Sequence, residues 1–203
     1  MAEYNPEVDR RTFVILGAGA AGIHAAETLR VAGYQGRIVM ATADDRLPYD
    51  RTWLSKDYFT GKVTKEQLPL RSSQFFQNHN IEVWLKKFAM RVDAIAKTIT
   101  FADENISYDA LLLATGSKPR QIDVPGKDLP NIFTLRSFSD TQQILAAASQ
   151  AKQAVVIGSS FIGMETASYF ETKRFSRDSG IAGFCTIQEN LGRGNWQSIS
   201  TSA

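Results

Sequence analysis

The chain has 203 residues, 43% of them hydrophobic and 22% charged, a composition that excludes a disordered or fibrous protein and fits one to two globular domains. Its formal net charge is +2 with acids and bases interspersed, so charge gives no case for a nucleic-acid or anionic-membrane partner. One cysteine, Cys185, and two histidines, His24 and His79, exclude an internal disulfide, a C-x-x-C redox pair and a thiolate metal cluster, and no metal site is expected.

The N-terminal MAEYNPEVDRR carries acids and no apolar stretch, so no signal peptide is expected. The longest apolar run, 13–26, is glycine-rich and too short to span a bilayer, which makes a cytoplasmic location the default expectation. Within that run FVIL (13–16) reads as a parallel strand buried on both faces. GAGAAG follows at once, then a helical pattern with Ile23, Ala26 and Leu29 on one face and Gly33 at its C-terminal end. RIVMA (37–41) is the next strand and completes a βαβ unit of about thirty residues.

Residues 43–62 read as a polar loop, 74–79 as the end of a helix and IEVWL as a strand. Loose alternation over 89–108, with turn signals at Ala96-Lys97 and Asp103-Glu104-Asn105, predicts a small antiparallel meander. DALLLAT (109–115) is again a continuous apolar run and hence a buried strand, followed by a segment punctuated by Pro119, Pro125-Gly126 and Pro130. A helix is predicted over 137–150 with Ser139 or Asp140 near its cap, and a strand at 154–157. Beyond Glu171 the pattern lapses into polar, low-hydrophobicity sequence that reads as a poorly ordered tail.

Gly17-Ala18-Gly19-Ala20-Ala21-Gly22 is a complete G-x-G-x-x-G between a strand and a helix, the context in which the motif means dinucleotide binding. The first glycine permits the turn, the second lets the backbone approach a pyrophosphate, and the third lets helix and strand pack closely. An acid is due about twenty residues on, to accept from a ribose hydroxyl, and Asp44 and Asp45 stand there. A second loop, VVIGSSFIGMETA (155–167), has Gly158 and Gly163 at the first and third positions, with Ser159, Ser160, Phe161 and Ile162 between them. Ser160 replaces the middle glycine. It adds a small obstacle to phosphate approach and a hydroxyl able to donate to one.

GAGAAG, PYDRxxLSK, YDALLLATGSKPR, NIFTLRS and VVIGSSFIGMETA occur in the order and spacing of a known family. Over roughly residues 10–170 the chain resembles the FAD-dependent NAD(P)H oxidoreductases related to apoptosis-inducing factor, its Rieske-associated relatives especially, and the rubredoxin, putidaredoxin and ferredoxin reductases. The resemblance implies that 17–22 hold the FAD pyrophosphate, Asp44 the adenosine ribose, and Ala114-Thr115-Gly116 close over the cofactor, with the Ala89 backbone at the adenine. It makes Arg51 and Lys56 the flavin-contacting pair and Glu165 the carboxylate that pairs with Lys56, so Lys56 and Glu165 are the candidate catalytic residues. It gives 158–163 to NAD(P)H. Trp53 departs from the proline or small residue common at its position, and no role falls to His24 or Cys185.

The expected fold is α/β: a Rossmann-like FAD-binding domain over 1–120, with parallel sheet and antiparallel meander, and the start of an NAD(P)H-binding Rossmann unit over 121–171. The family continues with a strand ending in glycine-aspartate and a C-terminal domain that this sequence does not contain. The chain is therefore expected to be truncated, with a divergent tail over 172–203 in which GFCTIQE, ending at Glu189, is the one candidate further strand. The expected function is hydride transfer from NAD(P)H to FAD and onward electron transfer to a ferredoxin-like or Rieske iron–sulfur acceptor. The alternatives are a catalytically incomplete flavin-binding or non-enzymatic fragment and, more remotely, a single-site NAD-binding Rossmann protein.

Overall fold

The computed structural model describes residues 9–172 and 183–185. They divide into two compact units, one built from the chain up to Asp50 with Leu68–Ser117, the other from Arg51–Gln67 with the residues from Lys118 on.

In the first unit a parallel sheet has strand order β3-β2-β1-β7, where β1 is Thr12–Leu16, β2 is Arg37–Ala41, β3 is Ile81–Trp84 and β7 is Ala110–Leu113. FVIL and DALLLA, two apolar runs far apart in sequence, lie side by side with Phe13 opposite Ala110 and Leu16 opposite Leu113. The pleat sends alternate residues to opposite faces. Ile15, Ile38 and Met40 pack with Ile23 and Ala26 of α1 (Ala20–Val31) and Phe76 of α2 (Ser73–Asn78). Val14, Leu16, Val39 and Ala41 face the other way, against Ile99, Phe101, Ile106 and Tyr108. Those partners belong to the predicted meander, β4 (Arg91–Asp93), β5 (Thr98–Thr100) and β6 (Asn105–Ser107), all antiparallel. Its first turn is made by Asp93, whose Oδ1 accepts from the amides of Ile95 (3.1 Å) and Ala96 (2.8 Å), and Lys97 takes the positive φ of 51° that closes it.

Arg30 fixes the far end of α1. Its Nε donates to the His79 carbonyl (2.7 Å), Nη2 to that of Asn80 (2.7 Å), and Nη1 to those of Tyr34 (2.6 Å) and Gly36 (2.9 Å). One planar cation thus satisfies four carbonyls in two turns, a geometry an ammonium cannot reproduce. Arg30→Ala is expected to lower stability by about 2–3 kcal/mol, with Arg30→Lys recovering less than half, read as urea midpoints at constant m-value.

The second unit contains a 3-10 helix (Arg51–Ser55), α3 (Phe138–Ala148), β8 (Val155–Ile157), α4 (Phe161–Thr172) and β9 (Gly183–Cys185). The cap of α3 is Ser137, not Ser139 or Asp140. The Ser137 hydroxyl accepts from the Asp140 amide (3.2 Å), and the Asp140 carboxylate accepts from the Ser137 amide (2.7 Å). This reciprocal capping box works because Asp140 sits three residues beyond the cap, within reach of the cap's own N–H. Phe59 is fully buried against Tyr169 (ring centroids 4.5 Å apart) and Phe170 (6.0 Å), which docks the 51–67 segment on the C-terminal half of α4.

Arg51–Gln67 groups with the residues after 118 and not with those flanking it. Gly183–Cys185, within the candidate further strand GFCTIQE of the tail, forms a strand parallel to β8, with Val156 opposite Phe184. Glu189 lies outside the described residues. Among the described residues no helix is long and apolar enough to cross a membrane.

Candidate functional site

In the first unit the candidate residues gather at the carboxyl ends of the parallel strands, where open α/β sheets bind ligands. The Gly17 amide donates to the Ala41 carbonyl (2.8 Å) and the Ala114 amide to that of Leu16 (2.8 Å), so the loops leaving β1, β2 and β7 are tied together at their roots. The three glycines of GAGAAG have different reasons to be glycine. Gly17 has φ +110°, and a Cβ there would overlap the carbonyl oxygen of Ala114. A Cβ on Gly22 would overlap the carbonyl oxygen of Gly17, since the helix begins directly against the turn.

Gly19 is different. Its backbone is extended (φ −80°, ψ −169°), which any residue adopts, and a Cβ would meet nothing within 4 Å. No packing or conformational demand of the chain explains a glycine here. Gly19 is also the N-cap of α1 with no side-chain cap, so first-turn amides stay available at the positive end of the helix dipole. An open approach to uncapped amides fits a dinucleotide pyrophosphate.

Asp44 follows β2. Its backbone is held on both sides, its amide donating to Thr42 Oγ1 (3.1 Å) and its carbonyl accepting from the Lys86 amide (2.9 Å). The buried Tyr49 donates its hydroxyl to Asp44 Oδ2 (2.9 Å), which fixes the carboxylate plane. Sequence reasoning missed Tyr49; its place five residues beyond the acid, in the PYD of a loop, was the only available signal. Ala114 packs in part against the α1 side of the core, whereas Thr115 and Gly116 are exposed. Ala89 packs in part on the meander side.

The second loop repeats the first turn. Gly158 has φ +116°, and a Cβ on Gly163 would overlap the Gly158 carbonyl oxygen, just as Gly22 meets Gly17. The Met164 amide donates to the Ser160 carbonyl (2.9 Å), the counterpart of the bond from Ile23 to Gly19 (3.0 Å). Ser160 therefore replaces the middle glycine without altering the turn. Its Oγ accepts from the Gly163 amide at 3.4 Å, occupying one donor of a kind the first loop leaves open. Parallel pairing of β9 with β8 supplies the strand that such a loop requires on the far side of its helix.

Also in the second unit, Lys56 Nζ lies 3.5 Å from Glu165 Oε1, so the expected pair is present. The 3-10 turn from Arg51, tied by bonds from the Lys56 (3.1 Å) and Tyr58 (3.0 Å) amides to the Trp53 carbonyl, carries Ser55 and Lys56 to the same carboxylate. Ser55, buried, donates to Glu165 Oε2 at 2.6 Å. Four residues beyond Glu165 on α4, burial raises the Tyr169 phenol above its ordinary pKa.

The family model described as pyridine nucleotide-disulphide oxidoreductase matches residues 11–178. The chain belongs to that family. Among curated relatives, this family member is 43% identical over 164 residues to apoptosis-inducing factor 3 of Mus musculus, covering 80% of this chain and 26% of the relative. It is 37% identical over 158 residues to rhodocoxin reductase of Rhodococcus erythropolis, covering 77% of this chain and 37% of the relative. Among solved structures it superposes on a ferredoxin reductase of Rhodopseudomonas palustris with a TM-score of 0.79 at 32% identity, covering 87% of this chain and 42% of that one. This pyridine nucleotide-disulphide oxidoreductase chain therefore spans between about a quarter and two-fifths of the length of these relatives. With Cys185 its one cysteine, it carries no dithiol pair of its own.

Proposed function

We propose that this chain forms the flavin-binding part, and the beginning of the nicotinamide-binding part, of an FAD-dependent NAD(P)H oxidoreductase that delivers electrons to a ferredoxin-like or Rieske iron–sulfur protein. The observation that carries this is Gly19: a glycine with open space beside it and uncapped helix amides beyond it, flanked by two glycines that backbone conformation and packing explain. When bound, FAD supplies hydride acceptance and single-electron release, and the protein supplies position and electrostatics.

In this reading the amides of 17–22 bind the FAD pyrophosphate. Asp44, held by Tyr49, accepts from the adenosine ribose, and Ala89 and Ala114-Thr115-Gly116 line the cofactor with backbone. Arg51 and Lys56 place positive charge where the reduced ring becomes anionic, and Glu165 sets how much of the Lys56 charge is available. The amides of 158–163 and the Ser160 hydroxyl hold the NAD(P)H phosphates, the hydroxyl proton staying free while its oxygen caps α4. The acceptor class is supported by relatives named rhodocoxin reductase and ferredoxin reductase.

A second reading, a flavin-binding piece without turnover, is favoured by the share of the relatives' length that this chain spans. One titration separates the two. Purified chain supplied with FAD should retain the flavin's visible absorbance through gel filtration and lose it on anaerobic addition of NADH or NADPH. Flavin retained but not bleached leaves the second reading. No flavin retained sinks both.

A further inference from the structure

We infer that Ser55 is a positioning residue that holds the Glu165 carboxylate off the Lys56 ammonium; the flavin consequence drawn below rests on the function proposed above. Two consecutive residues of the same turn reach opposite oxygens of one carboxylate, Ser55 Oγ to Oε2 at 2.6 Å and Lys56 Nζ to Oε1 at 3.5 Å. The hydroxyl bond is at the ordinary length for O–H to a carboxylate, whereas the ammonium stands well beyond its own. A charge-assisted N–H···O bond closes to about 2.7–2.9 Å when nothing restrains it. What restrains this one is visible. Ser55 is 6% exposed, its turn is anchored by Leu54 at 2% and Phe59 at 1%, and its hydroxyl fixes the carboxylate from the protein side. Lys56, by contrast, keeps half of its side chain exposed.

With one oxygen committed to Ser55, Glu165 cannot turn both oxygens toward Lys56. The ammonium is tethered near the carboxylate but not consumed by it, and it retains donors for a third group. An alanine at 55 frees Oε2, the carboxylate rotates, and the pair closes. A lysine wrapped by its carboxylate is less nucleophilic and offers less charge to anything else.

The test uses the full chain as wild type, S55A, S55T and E165Q. The first readout needs no cofactor: the rate at which a limiting acylating reagent modifies the Lys56 amine, read by mass spectrometry and normalised to the exposed Lys65 of the same molecules. S55A should lower that relative rate roughly threefold, S55T should restore it, and E165Q should raise it above wild type by a similar factor. An unchanged ratio in S55A overturns the inference. Should S55A fail to fold, an unchanged ratio in E165Q overturns it equally.

The second readout is the midpoint potential of bound FAD. S55A should disfavour the reduced flavin by roughly tenfold, about 30 mV for a two-electron couple, with recovery in S55T. Altered labelling with an unaltered potential refutes the link to the flavin. If the wild type takes up no FAD, the proposed function falls, and the labelling ratios still decide the role of Ser55.

Discussion

Gly17→Ala is expected to destabilise the first unit by about 3–5 kcal/mol, enough to leave much of the protein unfolded at physiological temperature. Two independent effects add. The backbone at φ +110° is one that an L side chain rarely adopts, and the new methyl overlaps the Ala114 carbonyl oxygen, with the Thr115 amide nitrogen only 2.9 Å away. Relief by backbone movement would have to break the Ala114-to-Leu16 bond (2.8 Å) and pull β7 away from the centre of the sheet. The measurement is the urea midpoint of the variant against wild type without cofactor. A midpoint within error of wild type would show that the turn is not built as described.

Gly19→Ala is expected to do the opposite. Stability should change by no more than about 1 kcal/mol, the difference between glycine and alanine at an N-cap, because the extended backbone and open surroundings accept a methyl. FAD affinity should fall about 100-fold, since the methyl stands where the pyrophosphate must approach the α1 amides. Thermal melts without cofactor and FAD binding by flavin fluorescence quenching give the two numbers on one sample. Wild-type FAD affinity in Gly19→Ala would remove the loop from the binding site and with it the observation on which the proposed function stands. Two glycines two residues apart thus separate what the fold requires from what a ligand requires.

Much of this was legible in the sequence because it is encoded locally. FVIL, RIVMA and DALLLA announce interior strands by unbroken apolar runs, and the meander is announced by its turns, Asp93 supplying the side-chain bonds that bend the chain. The Lys56–Glu165 pair was reachable through the resemblance, both residues being charged and standing in recognisable motifs. The remainder depends on distant partners. Nothing in periodicity says that β7 lies beside β1, because that pairing uses the edge of β1 that β2 leaves open, about a hundred residues away in sequence. The 3-10 turn at 51–55 has no apolar period and reads as loop; Leu54 and Phe59 reveal it only once their buried partners are known. Ser55 is a small hydroxyl between a leucine and a lysine, and only its 2.6 Å bond to a residue 110 positions away distinguishes it. The strand at Gly183–Cys185 was legible only as a candidate within GFCTIQE, because its flanks are polar.

The arrangement of the central sheet also sets an order of events in synthesis. β1 is flanked by β2, which follows it soon after in the chain, and by β7, which follows about a hundred residues later. Arg30 finds half of its carbonyls only when His79 and Asn80 have been made, and Gly17 meets the carbonyl that confines it only when Ala114 has been added. The turn at Gly17 is therefore among the last parts of this unit to become rigid. A nascent chain in which β1 has been made and β7 has not holds an open strand edge that other chains can pair with. Completion of this unit therefore waits on a long-range pairing around β1, slow by the measure of its sequence separation.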